Sequence, residues 1–568
     1  MTYRAPLSDI EFNLKHVIGA DRLAETELYA EADAETRAAV LTEAAKMAEE
    51  ALAPLQRNGD LHPARLENGV VRASPGYDEG YAAIRDGGWV SVAAPAEHGG
   101  MGLPITVQTV VNEMMSSSCL SLSLNPLMTQ GQIEALEHHG SDEIKALYLP
   151  KLIEGVWTGT MNLTEPQAGS DVGALSSKAE PNGDGTYAVT GQKIFISWGD
   201  HDLAENICHL VLARLPDGGP GTKGVSLFIV PKFIPNEAGD PGVANTLKPV
   251  SLEHKMGLHG SPTAIMSFEG ATGWLVGKPH GGIAAMFTMM NNARLGVGVE
   301  GLGVAEAATQ AAVTFASERK QGRTPLGDAG TGTIIDHADV RRMLMTMKGL
   351  TAASRAICLD TAFSLDMAKA DDQESRAGWS ARAAFLTPIA KAFSTDVGNE
   401  VAHMGVQVHG GMGFIEETGA AQYSRDVRVT AIYEGTNGIQ AMDLTGRKLS
   451  DGGAAANALL TEIKAGLTGD DALTSAVAAA HAAVAEATEW MLASKPNDRF
   501  AGATSYLRAW ALLLGGHYLL KAAAADPARA PLTRFFIRSL LPQVPALLSA
   551  ATTGAEDLYA MSAEELAG

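Results

Sequence analysis

The sequence predicts a multidomain chain of α and β structure, with a helical N-terminal domain, a central β domain, a helical bundle and an additional helical C-terminal extension. Three observations predict it. AETRAAVLTEAAKMAEEAL carries apolar residues at three- and four-residue spacing, with good helix formers between them. YAVTGQKIFIS, NICHLVLARL and GVSLFIVPKF are instead short β-branched or aromatic runs separated by Gly, Pro, Asn and Asp. Helical spacing returns at GGIAAMFTMMNNARLGVGVEGLGVAEAATQAAVTFASERK and continues through VRRMLMTMKGLTAASRAICLDTAF and TPIAKAFSTDVGNEVAHMGVQVHG.

In order, these divide the 568 residues into an N-terminal arm (1–35), a helical domain (36–158), a β domain (159–278), a helical bundle (279–449) and a helical extension (450–568). Within the first helical domain, RNGDLHPARLENG reads as a loop. Several long amphipathic helices in succession suggest a bundle. After the Gly-rich joint SDGGAAAN the chain is alanine-rich with helical patterning, which reads either as a fourth domain or as an extended tail of the bundle.

The 43 basic and 65 acidic residues give a net charge of −22, which repels nucleic acid and anionic membrane surfaces. Cys119, Cys208 and Cys358 are far apart and lack CxxC spacing. This supports neither a disulfide framework nor a structural zinc site, so reduced, buried thiols are expected. MTYRAPLSDIEFNLKHVIG lacks the basic start and apolar core of a secretory signal. The apolar run AWALLLGGHYLL falls well short of the roughly 20 residues a bilayer requires. A soluble cytoplasmic protein is the expectation.

Several stretches could carry chemistry. MNLTEPQAGSDVGAL can present backbone N–H groups and the Thr164 and Ser170 hydroxyls to a flat polar ligand, or be an ordinary tight connection. KIFISWGDHD reads as a strand whose end gathers Phe195, Ile196 and Ser197, although a strand aromatic is most often core. VQVHGGMGF offers Gly410, Gly411 and Gly413, but it lacks the third glycine of GxGxxG and follows a helical pattern. That argues against a dinucleotide loop and leaves open a close backbone approach to a phosphate. SERKQGR concentrates Arg319, Lys320 and Arg323, which could grip a pyrophosphate; on its own, a solvated helix end is the favoured reading. Arg294 in MMNNARLGVG has largely apolar neighbours and, if buried, needs an anion or amide partner. In VRVTAIYEGTNGIQ, Gly435 and Gly438 clear space beside Glu434, and apolar flanks favour its neutral form, moving it towards a general base's range. A solvent-facing turn residue or half an ion pair fits the local chemistry equally well.

Taken together, TEPQAGSDV, KIFIS, SERKQGR, QVHGGMGF and IYEGTNGIQ resemble the acyl-CoA dehydrogenase family in order and approximate spacing, over about residues 40 to 448. The resemblance implies a helical domain, a β-barrel and a helical bundle, with FAD held non-covalently between barrel and bundle and part of a second subunit completing the site. Leu163, Thr164 and Ser170 would contact the flavin or the acyl-CoA, and Phe195, Ile196 and Ser197 would line the isoalloxazine, with Ser197 towards N5. Arg319, Gln407, Gly410 and Gly411 would reach the adenine dinucleotide of a neighbouring subunit's FAD, and Thr436 the cofactor of its own subunit. The implied reaction is α,β-dehydrogenation of an acyl-CoA to the trans-2-enoyl-CoA, Glu434 removing the α-proton as the β-hydride passes to flavin N5. The Glu434 backbone N–H and a ribityl hydroxyl would stabilise the developing enolate. Gly435 would admit the thioester to the backbone, and Asn291 and Arg294 would lie on the substrate side. Some branches of the family place the base immediately before the arginine matching Arg294; here that residue is Ala293, which leaves Glu434. Two features depart from the family: Asn291 stands where many relatives have aspartate, and SERKQGR lacks the usual Phe-Gly after the arginine. The implied partners are an electron-transfer flavoprotein and further copies of the chain, as a homodimer or dimer of dimers.

The N-terminal arm and the extension resemble a long bacterial branch of the family, which implies 3-methylmercaptopropionyl-CoA as substrate, converted to methylthioacryloyl-CoA in dimethylsulfoniopropionate degradation. The alternatives are a short- or medium-chain fatty acyl-CoA dehydrogenase, an acyl-CoA oxidase, a non-catalytic scaffold, and a nucleic-acid-associated flavoprotein of the same fold. The last would be expected to carry a basic C-terminal region, and residues 450–568 show no Lys/Arg cluster.

Overall fold

The β-branched runs of the middle third close into a barrel. The strand Thr263–Val276 pairs antiparallel with Tyr187–Ser197 and, further along, with Val225–Pro231. Tyr187–Ser197 pairs with Lys178–Pro181, which meets Asn206–Arg214 through Lys178 and Arg214. Asn206–Arg214 pairs along its length with Val225–Pro231, which completes the circuit. Leu247–Leu252 and Trp157–Asn162 flank the ring, the latter parallel to Asn206–Arg214. Side chains alternate along each strand, so one set fills the interior: Val189, Val211, Phe228, Val230, Met266 and Phe268 form its core.

The computed structural model describes residues 3–326, 332–469 and 471–568, with the side chain of Asn291 outside the described set. The chain packs as two units, one of Leu41–Ala293 with residues 3–5, the other of Pro6–Val40 and Arg294–Gly568. The first contains the barrel and the helices before it. Among these, Ile105–His139 is almost entirely buried and kinks at Cys119, whose φ of −154° breaks the helix. Asp142–Glu154 is capped by Ser141, whose side chain accepts from the Ile144 N–H, and stops at left-handed Gly155.

One expectation is corrected here. RNGDLHPARLENG is only partly a loop: Ala53–Leu61 is helical, and Arg65–Glu67 pairs with Val70–Arg72 as a hairpin. Gly59 serves packing rather than a turn, because a Cβ there would lie 2.0 Å from the Tyr77 hydroxyl. Asn68 and Gly69 both take positive φ, 51° and 81°, the pair of left-handed residues that a two-residue hairpin turn requires.

The second unit is the bundle. The helix Gly282–Glu318 begins in the first unit and continues into this one, where Ala338–Ala370 and Gln373–His409 follow. The extension packs on these helices. The Trp510 ring stands edge-on to Phe385 at 5.0 Å, the Tyr518 hydroxyl donates to Asp360, and Arg508 bonds Glu400. Residues of the arm join the same unit: Arg529 donates to Asp9 at 2.9 Å and lies 3.7 Å over the Phe12 ring, and Tyr29 donates to Asp366. All three cysteines are buried thiols. Among the described residues, no helix is long and apolar enough to cross a membrane.

Candidate active site

Glu434 lies in the short link between the turn Arg428–Ala431 and the helix Asn437–Gly446. Its φ of 55° is left-handed, a conformation costing a non-glycine residue about 1–3 kcal/mol and kept only where the surroundings enforce it. The enforcing contacts are visible. The Gln440 Nε2 donates to the Glu434 carbonyl at 3.1 Å, and the Lys391 ammonium donates to the Gly435 carbonyl and to Asn437 Oδ1, each at 2.9 Å. Upstream, the Tyr433 hydroxyl donates to the Glu300 carboxylate. Thr436 caps the following helix, accepting from the Ile439 N–H at 3.3 Å.

The carboxylate has an unusual environment. Glu434 Oε2 is buried and has no hydrogen-bond partner among the described residues. Burial pushes the carboxyl up to about 7, against the pull of the Arg294 and Lys391 cations. Burial likewise brings Lys391 down to about 8, with Glu434 and Glu300 opposing. Arg294 is itself buried, 3.7 Å from Asp443, which answers the expectation that it needs an anion. Gly435 has a φ of 81°, and a Cβ there would meet Gln440 at 2.8 Å, so the backbone alone already requires glycine.

On the barrel unit, the TEPQAGS loop is strapped to the strand Tyr187–Ser197. Both Glu165 oxygens are saturated: Ser177 and the Lys193 ammonium donate to one, and Ser176 and Gln167 to the other. Burial opposes the Glu165 charge, yet Lys193 and these donors hold the carboxyl well below the usual range. Lys193 also donates to the Leu163 carbonyl, and the Ile194 N–H to that of Thr164, so the loop's path follows the strand. Thr164 is half-buried and Ser170 exposed. At the strand's end Phe195 is 59% exposed with a φ of 60°, beside a register shift in its pairing with Thr263–Val276. Ile196 turns into the barrel core, and Ser197 is half-buried.

At one end of the bundle, the Phe315 and His409 rings stack at 4.4 Å and hold two helix termini together. Arg319 stands exposed just past one terminus; Gln407, Gly410 and Gly411 are exposed at the other. Gly410 takes a φ of 60°, and a side chain at either glycine would meet nothing within 4 Å. A helix rather than a strand precedes them, so they are no Rossmann loop.

Four family models match in chain order: the acyl-CoA dehydrogenase N-terminal domain over residues 34–156, the middle domain over 160–271, the C-terminal domain over 280–449, and an acetyl-CoA dehydrogenase C-terminal-like domain over 459–562. A 3-methylmercaptopropionyl-CoA dehydrogenase of Ruegeria pomeroyi is 47% identical over 539 residues, covering 93% of this chain and 92% of that one. The chain belongs to the acyl-CoA dehydrogenase family. Its reaction is the dehydrogenation of an acyl-CoA. Among solved structures, an acyl-CoA dehydrogenase of Bacillus anthracis complexed with FAD shares the fold, at 19% identity and a TM-score of 0.75 over 98% of this chain and 93% of that one. A butyryl-CoA dehydrogenase of Megasphaera elsdenii matches at 26% identity and a TM-score of 0.61, covering 73% of this chain and 98% of that one.

Acyl-CoA dehydrogenases are FAD-dependent, and the residues present suit such a group. An exposed aromatic ring held at positive φ, two residues before a half-buried hydroxyl, offers a flat face and a polar group to a ring system. The open Gly410–Gly411 backbone and the exposed Arg319, at helix ends joined by the Phe315–His409 stack, offer donors and a cation to an anion. Sequence reading missed Lys391, Gln440, Tyr433, Glu300, Glu165 and Lys193. Glu300 in GVGVEGLGV and Lys391 in TPIAKAF are lone charges in apolar helices, the same signal that singled out Arg294. The side chain of Asn291 lies outside the described residues.

Proposed function

We propose that this acyl-CoA dehydrogenase binds FAD and oxidises 3-methylmercaptopropionyl-CoA to methylthioacryloyl-CoA, with Glu434 as the acceptor of the α-proton. The observation that carries the base assignment is the Glu434 carboxylate, with a buried, unpartnered oxygen and a proton affinity raised to about 7. A carboxylate so poised is ionised near neutrality and still basic enough to take a proton. Arg294 and Lys391 favour its ionised form before reaction, and Gln440 and Lys391 hold the backbone on which it stands.

Leu163, Thr164, Ser170, Phe195, Ile196 through its backbone, Ser197, Arg319, Gln407, Gly410, Gly411 and Thr436 would hold the cofactor. Ser170, Asn291, Arg294 and Gly435 would lie on the substrate side. Bound FAD supplies the acceptor for the β-hydride. The substrate assignment is supported by the 47% identity to an enzyme named for it over nearly the whole of both chains. We take the electron acceptor to be an electron-transfer flavoprotein, the working form to be a homo-oligomer in the cytoplasm, and the division into arm, three domains and extension to be that read from the sequence.

The test is anaerobic bleaching of the bound flavin across 3-methylmercaptopropionyl-CoA, butyryl-CoA and octanoyl-CoA. The methylmercapto thioester should bleach fastest; a clear preference for either fatty acyl-CoA would overturn the substrate assignment. Glu434→Gln should retain FAD and lose turnover by orders of magnitude. Near-native turnover in that variant would remove Glu434 as the base.

A further inference from the structure

Glu300 is a second buried acid in the same unit, unused by the chemistry above. It sits on the helix Gly282–Glu318 at 1% exposure. One oxygen accepts from the Tyr433 hydroxyl, and Oε1 is buried with no hydrogen-bond partner among the described residues. A carboxyl placed in an apolar helix at that cost needs a role.

The geometry supplies one. Glu434 is held in a left-handed conformation that its own backbone would not choose. Its carbonyl and that of Gly435 are pinned from downstream by Gln440 and Lys391. Upstream, the side-chain anchor of the adjacent residue is the Tyr433 hydroxyl on Glu300. The Tyr433 backbone N–H is held by the Val429 carbonyl at 3.1 Å, and Glu300 holds its side chain.

We propose that Glu300 is the positioning residue of the base: through the Tyr433 hydroxyl it fixes the chain immediately before Glu434, and so the direction of the Glu434 carboxylate. This rests on the reading of Glu434 as the α-proton acceptor. Electrostatics agree with the geometry. The charged or titratable groups facing Glu300 are Tyr433 and Glu434 from the link and Lys391 from Gln373–His409; Arg294, on the Glu300 helix and paired with Asp443, faces Glu434. Burial pushes Glu300 up to about 8, with the like charge of Glu434 adding and the Tyr433 hydroxyl opposing. Burial raises both carboxyls, and the like charge of Glu434 keeps Glu300 towards its neutral form, in which the anchor does not repel the base. Once Glu300 ionises at higher pH, a second negative charge stands beside the base.

The experiment compares the FAD-loaded Tyr433→Phe, Glu300→Ala, Glu300→Gln and Glu434→Gln proteins, measuring kcat, KM, flavin content and the pH profile of kcat. Tyr433→Phe and Glu300→Ala should each lower kcat roughly tenfold or more, the scale on which misdirected catalytic groups lose rate, with KM and flavin content near native. Glu300→Gln, whose amide oxygen can still accept from Tyr433, should recover most of that loss. It should also lack the alkaline inflection that ionisation of Glu300 should give the native protein. Tyr433→Phe removes a single oxygen and decides the matter should Glu300→Ala not fold. The proposal alone is overturned if Tyr433→Phe keeps native kcat while Glu434→Gln is inactive, if Glu300→Gln is as impaired as Glu300→Ala, or if it retains the inflection. Native turnover in Glu434→Gln overturns the base assignment, and this proposal with it.

Discussion

Of the six described non-glycine residues with positive φ, two are Phe195 and Glu434, both singled out from the sequence for chemistry. Strain of this kind persists where packing over-determines it, which at Glu434 means Lys391 and Gln440. Lys391 has two separable effects. It anchors the Gly435 carbonyl, and its charge lowers the proton affinity of Glu434. Burial alone would carry the carboxyl above about 7, so removing the cation moves it further up. The ionised base is lost as pH falls through its pKa, so the acid limb of kcat/KM belongs near pH 7 in the native protein. In Lys391→Met that limb should move to higher pH, with roughly a tenfold loss of kcat/KM at pH 7 that is partly regained in alkaline solution. A pH profile of kcat/KM on both proteins checks this. A limb that stays in place while the plateau drops would leave Lys391 the anchoring role only.

At the scale of elements, the strand Tyr187–Ser197 and the TEPQAGS loop behave as one piece, because Lys193 bonds both Glu165 and the Leu163 carbonyl. Both charged side chains are buried, at 0% and 2% exposure. Lys193→Met would leave Glu165 charged without its cation and should destabilise the protein by about 3–5 kcal/mol. The double variant Glu165→Gln with Lys193→Met, which leaves no buried charge, should recover much of that loss in denaturant unfolding. Equal losses in single and double variants would show that packing, not the ion pair, holds the loop. The strand itself was legible from its β-branched run and the loop from its Pro and Gly. The link between them was not, since which buried acid meets which buried lysine depends on strand register. The hairpin at Asn68–Gly69 was missed for a different reason: its two strands are only three residues long, too short to show alternation, although the Asn-Gly pair carried the turn signal.

For the whole molecule, the helix, strand, helix order could be read from changes in apolar period, and ring closure of the barrel could not, because pairing between distant strands leaves no local trace. The base could be read only through its company of motifs, and of its anchors Lys391 and Glu300 came from helices far away in sequence, Gln440 from the helix that follows. The extension was the open question. Shorter relatives such as the Megasphaera enzyme, nearly all of which aligns to 73% of this chain, fold at that smaller size. Here the bundle has been built to be covered. Phe385 and Asp360 face Trp510 and Tyr518, Glu400 faces Arg508, and Arg382 bonds both Asp360 and Glu462. Asp9 of the arm also depends on Arg529. Ending the chain at Gly453 would expose a large apolar face on the helices Ala338–Ala370 and Gln373–His409, leave Glu400 without Arg508 and leave Asp360 with Arg382 but not Tyr518. Gln373–His409 also carries Lys391, so the loss should reach the link around Glu434. The truncated protein should therefore aggregate or elute as an expanded species in gel filtration, without a cooperative melt and with little bound flavin. A compact chain of residues 1–453 that melts cooperatively and keeps its flavin would instead make the extension an independent addition to a self-sufficient bundle.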